Sequence, residues 1–355
     1  MTNYIIRRLL IIPFILFGVT VLIFGMLSFL SPQERSALYV RDIPHTDAAM
    51  EGIIRRYGLD DPIPVQYWHW LMGQKDALTG TVVGGILRGD FGYSRSQSQP
   101  VVDLIRRRFP ATVELALYSI IPIIGIGVWL GITAAVNHNK LIDQIVRVFA
   151  ILGHSLPSFI LGLLLLMFFY ARLGWFPPGR VSDWANAVIL NPLLWRNYTY
   201  LITVDSLLNG RVDIFLDATR HLFLPVITLS LISWATYLRV TRSSMLETLR
   251  QEYVTTARAK GLKEKDVVSG HARPNALIPV ATLGGLTVAA LLGGAVFTET
   301  IFDFPGIGQA AGASAAQLDV ITVLSLTLLS ALILVLANLV VDVMYAYLDP
   351  RVRLG

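Results

Sequence analysis

Acidic residues near the ends of long apolar segments are the side chains of this sequence best placed for chemistry. There are four of them: Glu114, Glu299, Asp303 and Asp342. An ionisable group inside a bilayer is costly, so such a residue is a functional candidate by default. Each of the four lies close enough to a segment end to be hydrated instead, and structural roles are favoured for Glu114 and Asp342.

The other two acids lie beside a Phe-Pro-Gly turn that contains Pro305 and Gly306. Glu299 and Asp303 sit at the predicted outer mouth of the fifth apolar segment. This arrangement predicts a gate or a docking contact at that mouth, with a simple helix cap as the alternative.

Sequence motifs for covalent or nucleotide chemistry are absent. The chain has no G-x-x-x-x-G-K-[ST] loop to cradle phosphates and no H-E-x-x-H or G-x-S-x-G site. It has no cysteine, which excludes disulfides, cysteine-zinc sites and thiol chemistry. A lone histidine, His154, lies close to Pro157 and is more typical of helix packing than of a metal ligand. The sequence therefore predicts a chain that is not an enzyme and binds no metal or cofactor itself.

A polar segment, residues 242–275, combines helix-forming and helix-breaking signals. Apolar residues recur mostly every three or four positions, which predicts one helical face formed by Met245, Leu246, Leu249, Tyr253 and Ala257. Gly261 can take the left-handed conformation that ends a helix. Lys263 to Asp266 restart a helix, and Pro274 is predicted to break it before the next apolar segment. The alternative is an ordinary basic loop lying on anionic lipid.

The composition places these elements in a membrane. Of 355 residues, 54% are hydrophobic and only 15% are charged, whereas soluble domains carry roughly a quarter charged residues. The net charge of +5 is explained by basic residues in cytoplasmic loops. No basic run is interleaved with aromatic residues, so nucleic-acid binding is not expected.

Apolar segments of about 20 residues, the length that spans a bilayer, recur along the chain. They predict an all-α polytopic membrane protein with about six transmembrane helices, at 9–30, 112–136, 145–170, 221–241, 276–298 and 320–347. The first exceeds the ~7–15 apolar residues of a signal peptide and no small-x-small cleavage site follows it, so an uncleaved span is expected.

Basic residues in the short loops predict the orientation. Six spans place Arg7, Arg8, the turn around Lys140, residues 239–275, Arg351 and Arg353 on one side, with both termini cytoplasmic. The predicted organisation is an N-terminal tail and first span (1–30), an extracytoplasmic segment (31–110) and a core with five spans (111–355). The core includes an outer insert (171–220) and the cytoplasmic segment 242–275.

The segment from Tyr253 to Leu262, YVTTARAKGL, resembles the EAA coupling loop of the dipeptide/oligopeptide branch of binding-protein-dependent ABC permeases. Thr255 and Thr256 occupy the Glu and first Ala positions of the general EAA pattern, a departure similar to that of the peptide branch. Pro274 falls where the general motif has its Leu-Pro. The resemblance implies that this loop docks in a cleft of an ATPase subunit, through Tyr253, Thr256, Ala257, Arg258, Ala259, Lys260, Gly261 and Leu262.

Further matches to this family extend along nearly the whole chain. They are the segments NYIIRRL (3–9), GDFGYS (89–94), RFPATVELA (108–116), GWFPPG (174–179), LPVITL (224–229), RVTRSSML (239–246), GAVFTETIF (294–302), FPGIG (304–308) and DPR (349–351). Their order and spacing together are specific. Residues 180–220 are longer than the usual family loop.

The resemblance implies the permease fold of a type I ABC importer in a bacterial or archaeal cytoplasmic membrane. The expected partners are a homologous second permease, one or two ABC ATPase subunits that bind ATP and Mg, an extracytoplasmic substrate-binding protein and membrane lipid. Peptides are the expected solute, taken across by alternating access, and oligosaccharides or a metal chelate on the same scaffold are the alternative. A passive channel, which needs no coupling helix, is the rival from another class.

Overall fold

The computed structural model describes residues 2–40, 46–76 and 80–348. Side chains are described from residue 9 onward, except those of Ala37, His154, Asp342 and residues 344–348. The predictions for the side chains of Arg7, Arg8, His154 and Asp342, and for Arg351, Arg353 and the DPR segment, therefore lie outside the described residues.

The described chain is mainly helical. The helices are α1 (Thr2–Ser28), α2 (Pro32–Arg35), α3 (Asp47–Arg56), α4 (Ile63–Met72), α5 (Val101–Val136), α6 (Leu141–Ser155), α7 (Ser158–Leu165), α8 (Asp183–Ile189), α9 (Ile202–Leu208), α10 (Val212–Leu249), α11 (Glu252–Ala259), α12 (Glu264–Asp266), α13 (Arg273–Ala276), α14 (Ile278–Leu292), α15 (Val296–Ile301), α16 (Ile307–Ala316) and α17 (Val320–Leu348). Wider π-helical turns continue α7 at Leu166–Arg172 and join α12 to α13 at Val267–Ala272.

Short strands and 3₁₀ turns occur in the segment before α5. Strands β1 (Gln74–Lys75) and β2 (Val82–Val83) pair antiparallel, as do β3 (Tyr93–Ser94) and β4 (Gln99–Pro100). Single 3₁₀ turns are formed by Ser36–Leu38 and Ile86–Arg88.

The membrane-spanning helices agree with the expected all-α architecture of about six spans. Within the described residues, α1, α5, α10 and α17 are long and apolar enough to cross a bilayer, and two bent helix pairs raise the number to as many as six. The 38 residues of α10 extend about 57 Å at 1.5 Å per residue. Because the hydrocarbon core is about 30 Å thick, α10 projects well beyond it.

Both bent pairs contain proline at or near the bend. Residues 141–153 and 158–172 meet at 96°, next to Pro157, which has no amide hydrogen to continue the helix. Residues 264–276 and 278–292 meet at 50°. The prediction that Pro274 itself breaks the chain is wrong, because Pro274 lies inside α13. The bend falls at Leu277, where Pro279 in the first turn of α14 cannot donate to the preceding helix.

Helix α5 packs closely against α10 through two glycines. A Cβ atom at Gly127 would lie 2.5 Å from Cβ of Tyr237, and one at Gly131 would lie 2.5 Å from Cβ of Thr241. Small residues let membrane helices approach until their backbones nearly touch. The α5–α10 pair is therefore a closely packed axis of the fold.

Segments that the sequence predicts to lie outside have their own small cores. The segment before α5 packs Trp70 against α1 and α17, through Phe24 and Leu324. In the insert, α8 and α9 enclose a core of Ala185, Trp195 and Ile214. The predicted outer loop 301–319 contains α16, and the fifth predicted span ends at Leu292, earlier than expected, because Gly294 follows with a φ of 99°.

Candidate functional site

The segment 242–275 contains a short helix, α11, whose two ends are connected to membrane helices. Helix α10 runs to Leu249, the chain turns at Arg250 and Gln251, and α11 follows. After Gly261 the chain returns through α12 and the π-helical turn to α14. The predicted helix, glycine turn and second helix are therefore present, although the predicted single helical face is divided between α10 and α11.

The buried face of α11 differs from the prediction. Val254 and Ala257 pack against Val267 and Leu249 of the same chain, and Ala257 is only 5% exposed. Tyr253, which the periodicity placed on this face, is 44% exposed. The small side chain of Ala257 therefore serves the segment's own packing, because it lets α11 lie close to the π-helical turn.

The outward face of α11 is lined by small and polar residues. Glu252, Thr256 and Ala259 are exposed, and their spacing of four and three residues puts them on one side of the helix, opposite Val254 and Ala257. Tyr253, Lys260 and Leu262 are exposed at its margins. A second protein that reaches this segment meets these residues.

A clamp closes the turn after α11. Gly261 has a φ of 82°, which confirms the predicted left-handed conformation. Across this turn Nε and Nη2 of Arg258 donate to the two carboxylate oxygens of Glu264, at 3.0 and 2.7 Å, and these bonds raise the pKa of Arg258. Nη1 of Arg258 donates to the carbonyl oxygen of Leu249 at 3.3 Å. Arg258 thus joins the end of α10 to both sides of the turn.

A buried acid that sequence reasoning missed connects α10 to the turn before α6. Asp143 is fully buried and accepts bonds from Nε and Nη2 of Arg242, both at 2.8 Å, and from the amide of Asn139 at 3.0 Å. Arg147 lies 3.6 Å away. The only signal in the sequence was an acid in the first turn of a helix after a basic loop. Asp143 fixes the base of α10, from which α11 extends.

Glu299, at the outer turn, is a buried capping residue. It is fully buried, and its carboxylate accepts from the amides of Ala295 (3.2 Å) and Gln309 (2.9 Å) and from the Thr112 hydroxyl (3.1 Å). Gln309 lies in the first turn of α16, where a carboxylate satisfies unpaired amides and the positive end of the helix dipole. The helix-cap alternative therefore describes what Glu299 does in this structure.

The rest of the outer turn lies at a cleft. Asp303 is exposed, has a φ of 48° and accepts from the side-chain amide of Gln309 at 2.8 Å. Arg108 donates to the other end of Gln309 at 2.8 Å. Gly306 has no room for a side chain, because a Cβ atom would overlap Glu299 and Thr112. Asp303 and Pro305 border a cleft of about 790 Å³, and Glu299 and Gly306 are not among the residues that line it.

Glu114 binds the insert to α5. It is buried, and its carboxylate accepts from Nε of Arg180 at 2.9 Å and from the amide and hydroxyl of Thr203 at 2.7 Å each. These contacts give Glu114 the structural role that the sequence favoured. They also show that the insert is fastened to the core.

Comparison with known proteins decides the family. The model of the family described as "Binding-protein-dependent transport system inner membrane component" matches residues 127–354, and that of its N-terminal part matches residues 1–116. The chain belongs to this family. The resemblance found in the sequence is thereby confirmed, and so is the inner membrane as the site of this component.

Several named members of this family match almost end to end. The probable D,D-dipeptide transport system permease protein DdpB of Escherichia coli K12 is 39% identical over 95% of this chain and 94% of its own. The di/tripeptide permease protein DppB of Pseudomonas aeruginosa is 38% identical over 99% of both chains. The oligopeptide permease protein AppB of Bacillus subtilis is 36% identical over 99% of this chain and 100% of its own.

A solved structure supports the fold. The inward-facing MetNI methionine ABC transporter aligns with a TM-score of 0.50 and 15% identity, over 69% of this chain and 96% of the compared chain. At this identity the similarity is evidence for the fold alone. The expected permease fold of a type I importer is thus confirmed, and the chain is a transport subunit of the inner membrane, as its relatives are.

Proposed function

We propose that the chain is one of two membrane subunits of an ATP-driven importer and that its solutes are peptides. Support for peptides comes from the relatives, which are named for dipeptides, di- and tripeptides and oligopeptides and share 36–39% of their residues with it. The solute crosses a pathway shared with a homologous second permease. That pathway opens to one side at a time.

The proposed source of energy is a pair of separate ATPase subunits, which bind ATP and Mg, while this chain binds no cofactor. An extracytoplasmic binding protein delivers the solute on the opposite side. In this arrangement both termini and residues 242–275 are cytoplasmic, and residues 31–110 and 171–220 are outside. The insert covers the outer mouth or contacts the binding protein, and Asp303 and Pro305, at the outer cleft, take part in that contact.

The observation that carries the proposal is the attachment of α11. It is joined to α10 through Arg250 and Gln251, to α12 through the Gly261 turn, and to both by Arg258. A helix held this way cannot move far unless α10 and α14 move with it. If an ATPase subunit grips the outward face formed by Glu252, Thr256 and Ala259, its motion is passed to the membrane helices.

The experiment is peptide uptake into vesicles that contain the whole reconstituted transporter. A labelled dipeptide with its binding protein should accumulate against a gradient only when ATP and Mg are supplied to the ATPase side. Oligosaccharides and metal chelates serve as competing solutes. Equal flux with and without ATP would indicate a passive channel, and competition by a sugar but not by peptides would overturn the proposed solute.

A further inference from the structure

A second cleft lies at the cytoplasmic end of the fold, between α6 and α10. It has a volume of about 820 Å³, within the usual range of small-molecule sites, and its wall combines arginines with aliphatic residues. Neither the family match nor the proposed transport pathway assigns it a ligand. It opens beside the junction where α10 passes into α11.

Positive charge dominates the rim of this cleft, which includes Arg147, Arg239, Arg242 and Arg250. Arg242 is bonded to Asp143, and Arg147 lies near the same acid. Within the residues that the structure describes, Arg239 and Arg250 have no carboxylate within 4 Å. Both are exposed. The only acid in the wall is Glu247, so the rim carries an excess of positive charge.

The inner wall of the cleft is apolar and continues onto a lipid-facing surface. Ala150 and Ile151 of α6 face Leu238 and Leu246 of α10. Ile151 is 65% exposed, and the neighbouring Leu152 is 63% exposed. In a helix pair that enters a bilayer, such exposed aliphatic side chains contact acyl chains. Along α10 the basic residues of the cleft lie from Arg239 to Arg250, toward α11, and Leu238 lies at its other end, toward the membrane.

We propose that this cleft binds an anionic phospholipid of the inner leaflet. The phosphate lies between Arg239 and Arg250, and one acyl chain runs toward the membrane along Ile151 and Leu238. Basic pockets between helices on the cytoplasmic side of a membrane have the charge and position to hold acidic headgroups. The bound lipid steadies the α10–α11 junction, because Arg250 and Gln251 form both the cleft wall and the turn. An acidic surface of the ATPase is the competing occupant.

The test is native mass spectrometry of the whole transporter, purified from vesicles made of equal parts phosphatidylcholine and phosphatidylglycerol. The wild type should retain phosphatidylglycerol in preference to phosphatidylcholine. The double variant Arg239→Gln/Arg250→Gln should bind phosphatidylglycerol about thirtyfold less tightly, which corresponds to ~2 kcal/mol for two basic residues at an anionic surface.

Two further variants separate the specific site from general effects of charge. Arg106→Gln/Arg107→Gln removes the same charge from exposed positions at the start of α5, at the opposite end of the molecule in the predicted topology, and should bind lipid as the wild type does. Arg239→Lys/Arg250→Lys keeps the charge and should retain most of the binding. Equal retention by all variants would overturn the proposal. The proposal would also be overturned if the glutamine variant lost its ATPase subunits and kept its lipid, because the ATPase would then be the occupant of the cleft.

Discussion

The sequence allows Glu299 to be a gate, a docking contact or a helix cap, and in the structure it caps α16. Its carboxylate holds the start of α16, the amide of Ala295 and the Thr112 hydroxyl. Glu299→Ala would remove the acceptor of one buried donor and two part-buried donors, at about 1–3 kcal/mol for the buried one and less for each of the others. We expect a clear fall in the temperature at which the purified transporter loses its structure.

Asp303→Asn is the matched control for this prediction, because Asp303 is exposed and accepts one described hydrogen bond, from Gln309. Asparagine also tolerates the positive φ of this position. The control should unfold at the wild-type temperature. If Glu299→Ala were as stable as the wild type and yet inactive in uptake, Glu299 would act in gating and not as a cap.

The second prediction about a single residue concerns Arg258. Its pair with Glu264 is half exposed, and such pairs contribute about 0–1 kcal/mol, so Arg258→Ala should leave overall stability nearly unchanged. The turn that it closes should loosen. Hydrogen exchange of the amides in residues 259–264 should become faster, while Lys265→Ala, also exposed, should not change it. Unchanged exchange in Arg258→Ala would show that the clamp does not hold the turn.

At the scale of the elements, the chain's lack of cysteine allows a direct test of topology. The structure offers Leu193 in the insert and Ser269 in the segment 242–275, both exposed. An impermeant thiol reagent applied to intact cells should label Leu193→Cys and should label Ser269→Cys only after the cells are opened. Labelling in the reverse order would contradict the predicted orientation.

The elements also show what the sequence could predict and what it could not. Length and apolarity located the spans, and Gly261 marked the turn. Local patterns could not predict what Ala257 packs against. Periodicity identifies a helical face that must be buried, but it does not show whether the same chain or a partner protein buries it. The sequence left the role of Glu299 open for a related reason, since its partner Thr112 is 187 positions away. The bend at Leu277 depends on the combined positions of two prolines and a π-helical turn.

In the whole molecule, the α5–α10 axis links the two ends at which partners are expected. Glu114 fastens the insert to α5 at one end, and Asp143 fastens the base of α10 at the other. Changes in either region therefore act on the same closely packed pair of helices. Deleting the insert would also leave the buried Glu114 without Arg180 and Thr203, so substitutions of the exposed Trp184 and Tyr198 are the cleaner way to probe contact with a binding protein.

The central claim is that α11 passes work from the ATPase to the membrane helices, and Ala259→Trp tests it most directly. Ala259 lies on the outward face of α11, so a bulky side chain leaves the chain's own packing intact. Overpacking costs about 1–3 kcal/mol, which corresponds to roughly fivefold to more than a hundredfold weaker docking.

The measurement is ATP hydrolysis by the reconstituted transporter, with and without peptide-loaded binding protein. We expect the stimulation to be lost in Ala259→Trp and kept in Lys140→Trp, an exposed position in another loop of the same predicted side. Full stimulation of Ala259→Trp would contradict the account.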